Sequence, residues 1–169
     1  AACGIGVINE GDAFISLGTS GVILTAKENF APKPNHALHT FCHAIHNRWY
    51  QMGVILSATD SLNWLANILE KKVDDLTNYL GERIRGPNIT QFLPYLSGER
   101  TPHNDSNIRA SFVNLDVSSN QNDLTQSVLE GVSFALRDNL EVLKNTGSNI
   151  SRAIAIGGGS NSSYWLELI

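Results

Sequence analysis

Two glycine-rich stretches of the sequence have residue types suited to holding an anion. The first, residues 16–21 (SLGTSG), lies between two apolar runs. Its small residues let backbone N–H groups approach an anion closely, and the adjacent hydroxyls of Thr19 and Ser20 add two donors. The same stretch, read alone, favours an ordinary hairpin turn. Its residues are therefore compatible with both anion binding and a plain turn.

The second stretch, residues 155–162 (AIGGGSNS), places three consecutive glycines between a buried strand and a helix. The glycines remove side chains and the helix N-terminus offers unpaired N–H groups, so a nucleotide can lie against the backbone. The spacing is neither the Walker pattern nor the G-x-G-x-x-G dinucleotide fingerprint. The alternative is a tight strand-to-helix connection, although three glycines cost backbone entropy that a plain turn need not incur.

A third stretch, residues 94–103 (PYLSGERTPH), is a loop stiffened by two prolines. Glu99 and Arg100 are charges within otherwise apolar surroundings. They indicate either a contact with a ligand or a local ion pair within a structural loop.

Three histidines are the candidate metal ligands. His39 and His43 would share one face of a strand, and His46 lies in the turn that follows. No cysteine or carboxylate on that face supplies a third ligand, whereas zinc sites use three or four. We therefore predict no metal site made by these side chains and interpret them as hydrogen-bonded structural residues; a zinc-binding β domain is the alternative.

Composition and charge limit the class of protein. The chain has 42% hydrophobic and 17% charged residues, as ordinary globular domains do. Its formal charge of −4 gives no electrostatic reason to expect nucleic acid or an anionic membrane as a partner. No apolar run approaches the ~18 residues of a membrane span. Two cysteines, Cys3 and Cys42, are too few for a disulfide framework and fit a reducing cytoplasm.

The elements that must position the glycine-rich stretches follow from hydrophobic periodicity. Apolar runs on both sides of SLGTSG predict one β-hairpin, and a second hairpin follows it. Apolar residues at helical spacing then predict a short helix from residue 57 and a longer one over residues 123–145, with Gly147 as a left-handed cap. The predicted strands cover residues 13–17, 22–26, 39–45, 49–56 and 153–156, and a last helix starts near residue 161.

The order of these elements predicts the fold class. Antiparallel strands followed by αβα units indicate a single α/β domain over residues 1–169, with a mixed sheet and helices on both faces. Ser57, Thr59 and Asp60 are the predicted caps of the first helix, and residues 92–107 are predicted to form a loop. An apolar start without an initiating methionine and a last helix that stops short indicate a domain truncated at both ends.

Taken together, these stretches resemble the carboxy-terminal half of the FGGY family of carbohydrate kinases. ISLGTSG is similar to that family's phosphate-binding hairpin, and AIGGGSNSSYW to its adenosine-binding turn. One departure is Asn114, where the family usually has glycine, so that a local turn is expected to differ. The resemblance covers essentially the whole chain, and the family's signature segment matches residues 110–115, 123–124 and 127–131.

The resemblance implies the actin-like ATPase fold with its ribonuclease H-like core. It implies ATP and Mg2+ as cofactors, because the family transfers the γ-phosphoryl of ATP to a hydroxyl of a sugar or polyol. Residues 39–58 and 92–104 are most similar to family members that act on D-xylulose and make D-xylulose 5-phosphate. Gluconate and ribulose are the alternative sugars, and a non-catalytic actin-like nucleotide-binding module is the alternative class. A homodimer of the full-length protein is a further expectation.

Residue by residue, the resemblance implies a nucleotide site but no catalytic residue in this chain. The family's general base is an aspartate, which is expected just before Ala1; Asp12 falls later and does not match. The isolated chain is therefore predicted to be inactive. The matching positions are Gly18 and Thr19 for the ATP phosphates with Ser20 beside them, Thr59 and Asn63 at the start of the first helix, and Gly158, Gly159 and Ser163 in the adenosine-side turn.

Overall fold

The computed structural model describes residues 1–169. None of its helices combines the length and the apolar content that crossing a bilayer requires. The strands are β1 (Asp12–Leu17), β2 (Gly21–Lys27), β3 (His39–Cys42), β4 (Trp49–Ile55), β5 (Gln91–Leu93), β6 (Ser111–Val113) and β7 (Arg152–Ile156). The α-helices are α1 (Thr59–Ile68), α2 (Val73–Asn78), α3 (Gln121–Asn145) and α4 (Ser163–Leu168).

Five of the strands form a mixed sheet in the order β3-β4-β2-β1-β7. The first four strands of the chain pair antiparallel, whereas β7 runs parallel to β1, with Ser16 opposite Ile156. The mixed α/β fold that the sequence predicts is therefore confirmed. Because β1 and β7 are parallel, their carboxyl ends lie at the same edge of the sheet. The hairpin turn after β1 and the glycine turn after β7 are consequently neighbours.

Both predicted hairpins form, but the second is shorter than the sequence predicts. β3 ends at Cys42 instead of residue 45. The next residue, His43, buries its ring: Nε2 bonds with the carbonyl of Val7 at 3.1 Å, and Nδ1 accepts the N–H of Ile45 at 3.0 Å. These two bonds hold the chain in a loop where the strand pattern would have continued.

The long helix α3 begins with a capping box. The Asn120 side chain accepts the N–H groups of Asn122 and Asp123, and the Asp123 carboxylate accepts the Asn120 N–H at 2.9 Å. This reciprocal pair satisfies donors that a helix start otherwise leaves free, and α3 therefore begins at Gln121, slightly before the predicted start. At the other end Gly147 has a φ of +89°, as the prediction of a left-handed cap requires.

Apolar side chains form two clusters on opposite faces of the sheet. The larger cluster contains residues from all four α-helices, so the α-helices of this chain lie on one face of the sheet and not on both faces as the sequence predicts. The smaller one is built from Val7, Phe14, Leu24 and Ala26, with Ala2 and Ile5 packed against it. Phe14 on β1 and Leu24 on β2 belong to the smaller cluster, whereas their neighbours Ile15 and Ile23 pack in the larger one. Each of these two strands therefore contributes side chains to both faces of the sheet.

Three elements in the structure were not predicted from the sequence. α2 is short and buries only Leu76, so its residues show no helical period. β5 and β6 form a separate two-stranded sheet, so the first two residues of the predicted loop 92–107 belong to a strand. Three residues are too few to display strand alternation. Their stability comes from an aromatic cluster in which the rings of Phe92 and Phe112 lie 4.7 Å apart and Trp64 stacks on both.

Asn114, the departure from the family pattern, has a left-handed backbone with a φ of +62°. Glycine adopts this conformation without strain, and asparagine tolerates it better than most residues. Its side-chain amide also donates to the carbonyl of Ile89 at 3.4 Å. Asparagine can therefore form the same turn that a glycine would form here.

Candidate ligand-binding site

A cavity of about 600 Å³ opens where the glycine turn meets α1, α2 and α4. This volume lies within the ~300–1,000 Å³ of typical small-molecule sites. The structure thus brings together the start of the first helix and the glycine turn, which are far apart in the sequence. Five of the predicted site residues line the cavity: Thr59, Asn63, Gly158, Gly159 and Ser163.

The three predicted residues of the hairpin turn, Gly18, Thr19 and Ser20, lie beside the cavity and not in its wall. Backbone hydrogen bonds attach this turn to the start of α1. The carbonyl of Gly18 accepts the N–H of Thr59 at 2.9 Å, and the carbonyl of Thr19 accepts the N–H of Ala58 at 2.8 Å. The position of the hairpin turn is therefore coupled to the first turn of α1.

The predicted capping of α1 is wrong. None of Ser57, Thr59 or Asp60 caps the helix with its side chain, and the N-cap residue is Ala58. The Ser57 hydroxyl is instead within 2.9 Å of the Ser61 hydroxyl in the core. Carbonyl groups from the distant hairpin satisfy the free donors of the helix start, so the local sequence does not reveal the cap.

The hairpin turn keeps its own backbone donors free. The N–H groups of Gly18, Thr19 and Ser20 donate no hydrogen bond within the chain. Consecutive free N–H groups in a turn form a concavity that suits an anion. The geometry therefore adds support for anion binding at a stretch whose sequence alone favours a plain turn.

The surroundings of the three glycines after β7 differ. A Cβ on Gly157, whose φ is +91°, would lie 2.7 Å from the Leu17 carbonyl oxygen. A Cβ on Gly159 would lie 2.8 Å from the Leu17 Cβ and 2.9 Å from the Trp165 ring. Gly158, by contrast, has no atom within 4 Å of that position and lines the cavity. Packing within the chain thus explains Gly157 and Gly159, whereas Gly158 leaves open space for a ligand.

The cavity wall carries no positively charged side chain. Its two carboxylates are Asp74 on α2 and Glu82 in the segment that follows. A polyphosphate bound here would need a cation that arrives with it. Mg2+ fits this requirement, because it is commonly held by substrate phosphates and waters with few protein ligands. No group of three or more His, Cys, Asp or Glu side chains in the chain is arranged to hold a metal by itself.

The wall opposite the glycine turn was not predicted from the sequence. α2 and the residues after it contribute Val73, Asp74, Thr77, Asn78 and Glu82 to the cavity. No motif or period in this segment indicates a site. Only the packing of α2 beside α1 and α3 brings these side chains to the cavity.

Glu99 and Arg100 do not form the local ion pair that the sequence left open. The Glu99 carboxyl is buried, and its Oε1 accepts the N–H groups of Leu56 at 2.9 Å and Arg100 at 2.7 Å. Burial raises the pKa of Glu99 above its ordinary value of 4.5, although these two hydrogen bonds oppose the shift. The Arg100 guanidinium instead lies 3.3 Å from Nε2 of His39. Neither residue lines the cavity.

The histidines make hydrogen bonds that conflict with a shared metal site. β3 ends before His43, so His39 and His43 do not lie on one strand face. Both ring nitrogens of His43 are within hydrogen-bond distance of backbone groups. A neutral ring with both nitrogens engaged has no lone pair left for zinc. The geometry therefore argues against the zinc alternative.

The turn with free N–H groups, the start of α1 and the glycine turn meet at one edge of a mixed sheet. They mark the candidate ligand site of an α/β domain. The particular family follows from comparison with known proteins. The model of the FGGY family of carbohydrate kinases, C-terminal domain, matches residues 13–169, and the chain belongs to this family.

Named relatives agree with the family match. The chain is 40% identical to the xylulose kinase of Escherichia coli (strain K12), over 99% of this chain and 35% of that protein. The crystal structure of a xyloylose kinase from Brucella ovis has a TM-score of 0.98 at 51% identity, over 100% of this chain and 35% of that one. The crystal structure of the xylulose kinase from Rhodospirillum rubrum has a TM-score of 0.87 at 26% identity, over 99% of this chain and 34% of that one.

These comparisons also confirm the predicted fold. FGGY sugar kinases have the actin-like ATPase fold, and the chain has the fold of their C-terminal domain. The chain spans about a third of the length of the relatives that it matches.

Proposed function

We propose that this chain is the nucleotide-binding domain of an ATP-dependent sugar kinase that phosphorylates D-xylulose to D-xylulose 5-phosphate. Family membership and the named relatives support the reaction class and the sugar. The observation that carries the nucleotide-binding role is that two features are neighbours, one beside the cavity and one in its wall. These are a turn with free N–H groups at residues 18–20 and the open backbone of Gly158.

In the proposed complex, the hairpin turn holds the ATP phosphates. The free N–H groups of Gly18, Thr19 and Ser20 donate to phosphate oxygens, and the hydroxyls of Thr19 and Ser20 are further donors. Bound Mg2+ supplies the positive charge that the wall lacks. Phosphoryl transfer depends mainly on positioning and on neutralising charge, so these backbone donors make the main contribution of this domain to the reaction.

The remaining predicted residues are proposed to bind the nucleoside. Thr59 and Asn63 on α1 form one side of the cavity, and Ser163 at the start of α4 forms another. Gly158 lets the nucleoside lie directly against the backbone, because no atom of the chain occupies the space where its Cβ would be. The cavity as a whole excludes water from one side of the nucleotide.

The general base is proposed to be an aspartate that precedes Ala1 in the full-length protein. Transfer to a hydroxyl needs a group that accepts its proton. Asp12 does not suit this role: its Oδ1 pairs with Arg152 at 3.1 Å and its Oδ2 accepts the Asn9 N–H at 3.1 Å. The isolated 169-residue chain is therefore expected to lack kinase activity. A homodimer and a cytoplasmic location of the full-length protein stay predictions.

The full-length protein is expected to phosphorylate D-xylulose with Mg-ATP. We expect its kcat/KM for D-xylulose to exceed that for D-ribulose or gluconate by about tenfold or more, since a substrate that lacks or misplaces a hydrogen-bonded group is disfavoured by at least that factor. A coupled assay of ADP release checks this. A higher kcat/KM for gluconate or ribulose would move the assignment to that sugar. Tight ATP binding without turnover of any sugar would favour the non-catalytic module.

Gly158→Ala is expected to weaken ATP binding without loss of stability. The new methyl group meets no atom of the chain, and Gly158 does not have a positive φ, so the melting temperature should stay close to wild type. The methyl group does occupy space where the nucleotide is proposed to lie. We expect the Kd for ATP to rise by about tenfold, the effect of roughly 1.4 kcal/mol. Isothermal titration calorimetry on the full-length protein measures this.

The matched control is Gly86→Ala. A Cβ on Gly86 would also have no atom within 4 Å, and Gly86 has no positive φ, but it lies outside the cavity. Its substitution should change neither the melting temperature nor the Kd for ATP. Equal affinities for Gly158→Ala and Gly86→Ala would contradict the proposed position of the nucleotide.

A further inference from the structure

The buried carboxyl of Glu99 is the feature of the molecule that the proposed reaction leaves unexplained. Its residue is only 3% exposed. One oxygen, Oε1, accepts two backbone N–H groups, from Leu56 and Arg100. The other oxygen, Oε2, is buried and has no hydrogen-bond partner. A leucine would fill such a place without burying a polar group, so the carboxyl needs a reason to be there.

Holding the loop against the sheet is not a sufficient reason, because Thr101 already attaches the loop. The Thr101 N–H donates to the Val54 carbonyl at 3.0 Å, and its Oγ1 accepts the Val54 N–H at 3.1 Å. The same Oγ1 donates to the Ala37 carbonyl at 2.8 Å. The loop is thus attached to β4 and to the segment before β3 without any contribution from the Glu99 side chain.

What Glu99 adds is a contact with the connection between β4 and α1. Leu56 is the first residue after β4, and the start of α1 follows two residues later at Ala58 and Thr59. The N–H groups of Ala58 and Thr59 donate to the carbonyls of the hairpin turn, at Thr19 and Gly18. A continuous path therefore leads from the Glu99 carboxyl through a short length of backbone to the turn with free N–H groups.

We propose that Glu99 is a positioning residue: its carboxyl holds the β4–α1 connection at Leu56 and thereby sets the hairpin turn that binds the ATP phosphates. This inference rests on the proposed function. Glu99 touches neither the cavity nor the nucleotide, and it acts only through the backbone of residues 56–59 and 18–19. Its substitution should therefore affect ATP more than the sugar.

The neutral form of the carboxyl is sufficient for this role. Oε1 accepts both N–H groups whether or not the other oxygen carries a proton. Burial favours the protonated acid at Glu99, and the nearby Tyr95 also has its pKa raised, mainly by burial. A glutamine has the same shape and keeps an oxygen acceptor, so Glu99→Gln should preserve the contact with Leu56. Leucine has similar bulk but accepts no hydrogen bond.

The test compares ATP binding by Glu99→Gln, Glu99→Leu and Thr101→Val in the full-length protein. We expect Glu99→Leu to raise the Kd and the KM for ATP by about tenfold, as the loss of a buried anchoring hydrogen bond would do, with little change in the KM for D-xylulose. Glu99→Gln should stay within about threefold of wild type, because its acceptor is retained. Thr101→Val should lower the melting temperature but leave the Kd for ATP near wild type.

The other possible results of this test either support or overturn the inference. A wild-type Kd in Glu99→Leu overturns the inference, and so does an equal rise in Thr101→Val, which would make the effect a general loosening of the loop. Should Glu99→Leu not fold, Glu99→Asp replaces it: the shorter carboxyl is expected to give an intermediate Kd, and a wild-type Kd overturns the inference. Absence of ATP binding in the wild-type protein overturns the proposed function itself.

Discussion

Gly157→Ala is expected to lower the free energy of unfolding by about 3 kcal/mol or more. The backbone of Gly157 has a φ of +91° and a ψ of 172°, a region that is almost exclusive to glycine. The new Cβ would also lie 2.7 Å from the Leu17 carbonyl oxygen and 3.2 Å from the Gly18 nitrogen. Both neighbours are backbone atoms, so no side-chain rotation relieves the overlap.

The same substitution should impair the site. To accommodate the Cβ, the end of β7 must move away from the end of β1, which separates the glycine turn from the hairpin turn. We expect ATP binding to fall together with stability. Chemical denaturation and calorimetry on the full-length protein measure the two effects.

Gly147→Ala is the matched control for this prediction. Gly147 has nearly the same φ, +89°, but no atom lies within 4 Å of its Cβ position. Its substitution should cost only the backbone strain, about 1–2 kcal/mol, and should leave ATP affinity unchanged. Equal losses of stability at Gly157 and Gly147 would show that the contact with Leu17 is not important.

Trp165→Ala is expected to destabilise the protein by about 3–5 kcal/mol, the usual cost of truncating a buried tryptophan. Its residue is 1% exposed and belongs to the larger apolar cluster. Its indole N–H donates to the Ser133 hydroxyl on α3 at 3.1 Å. Loss of the ring removes this bond between α4 and α3 and one of the side chains that pack against Gly159. Thermal and denaturant unfolding of the full-length protein measure the change.

Three variants separate the contributions of this side chain. Ser133→Ala removes the acceptor of the indole N–H, together with the bond from the same hydroxyl to the Leu129 carbonyl at 2.8 Å, and should cost about 1 kcal/mol. Trp165→Phe keeps most of the ring contacts and should fall between Ser133→Ala and Trp165→Ala. Phe134→Ala, at a neighbouring position of α3 that is 66% exposed, should stay within about 0.5 kcal/mol of wild type. A similar loss in Phe134→Ala would contradict the assignment of the effect to burial.

Several elements could be predicted because their signals are local. The turn at residues 18–20 has small residues between two apolar runs, and it forms the predicted hairpin. α3 has an apolar period over many turns, and its predicted end at Asn145 agrees with the structure. The glycines after β7 also identify a strand-to-helix turn from residue types alone. In each case the residues that decide the structure are close together in the chain.

Other features could not be predicted because they depend on distant partners. β3 stops early since the ring of His43 bonds with Val7, and α1 is capped by carbonyls of the hairpin. Glu99 was recognised as an unusual charge in its loop, but its partner Leu56 is not visible in the sequence. α2 has no period of its own, although it forms one wall of the cavity.

The sequence by itself determined the hairpins, the long helix, the glycine turn and the family, because these depend on residue types and spacings within short segments. Only the tertiary structure decided that the hairpin turn and the glycine turn become neighbours. That outcome requires β7 to pair in parallel with β1, from the opposite end of the chain. It also requires Gly157 and Gly159 to pack against Leu17. Such contacts form only when the sheet assembles, since no local preference of either segment specifies its partner.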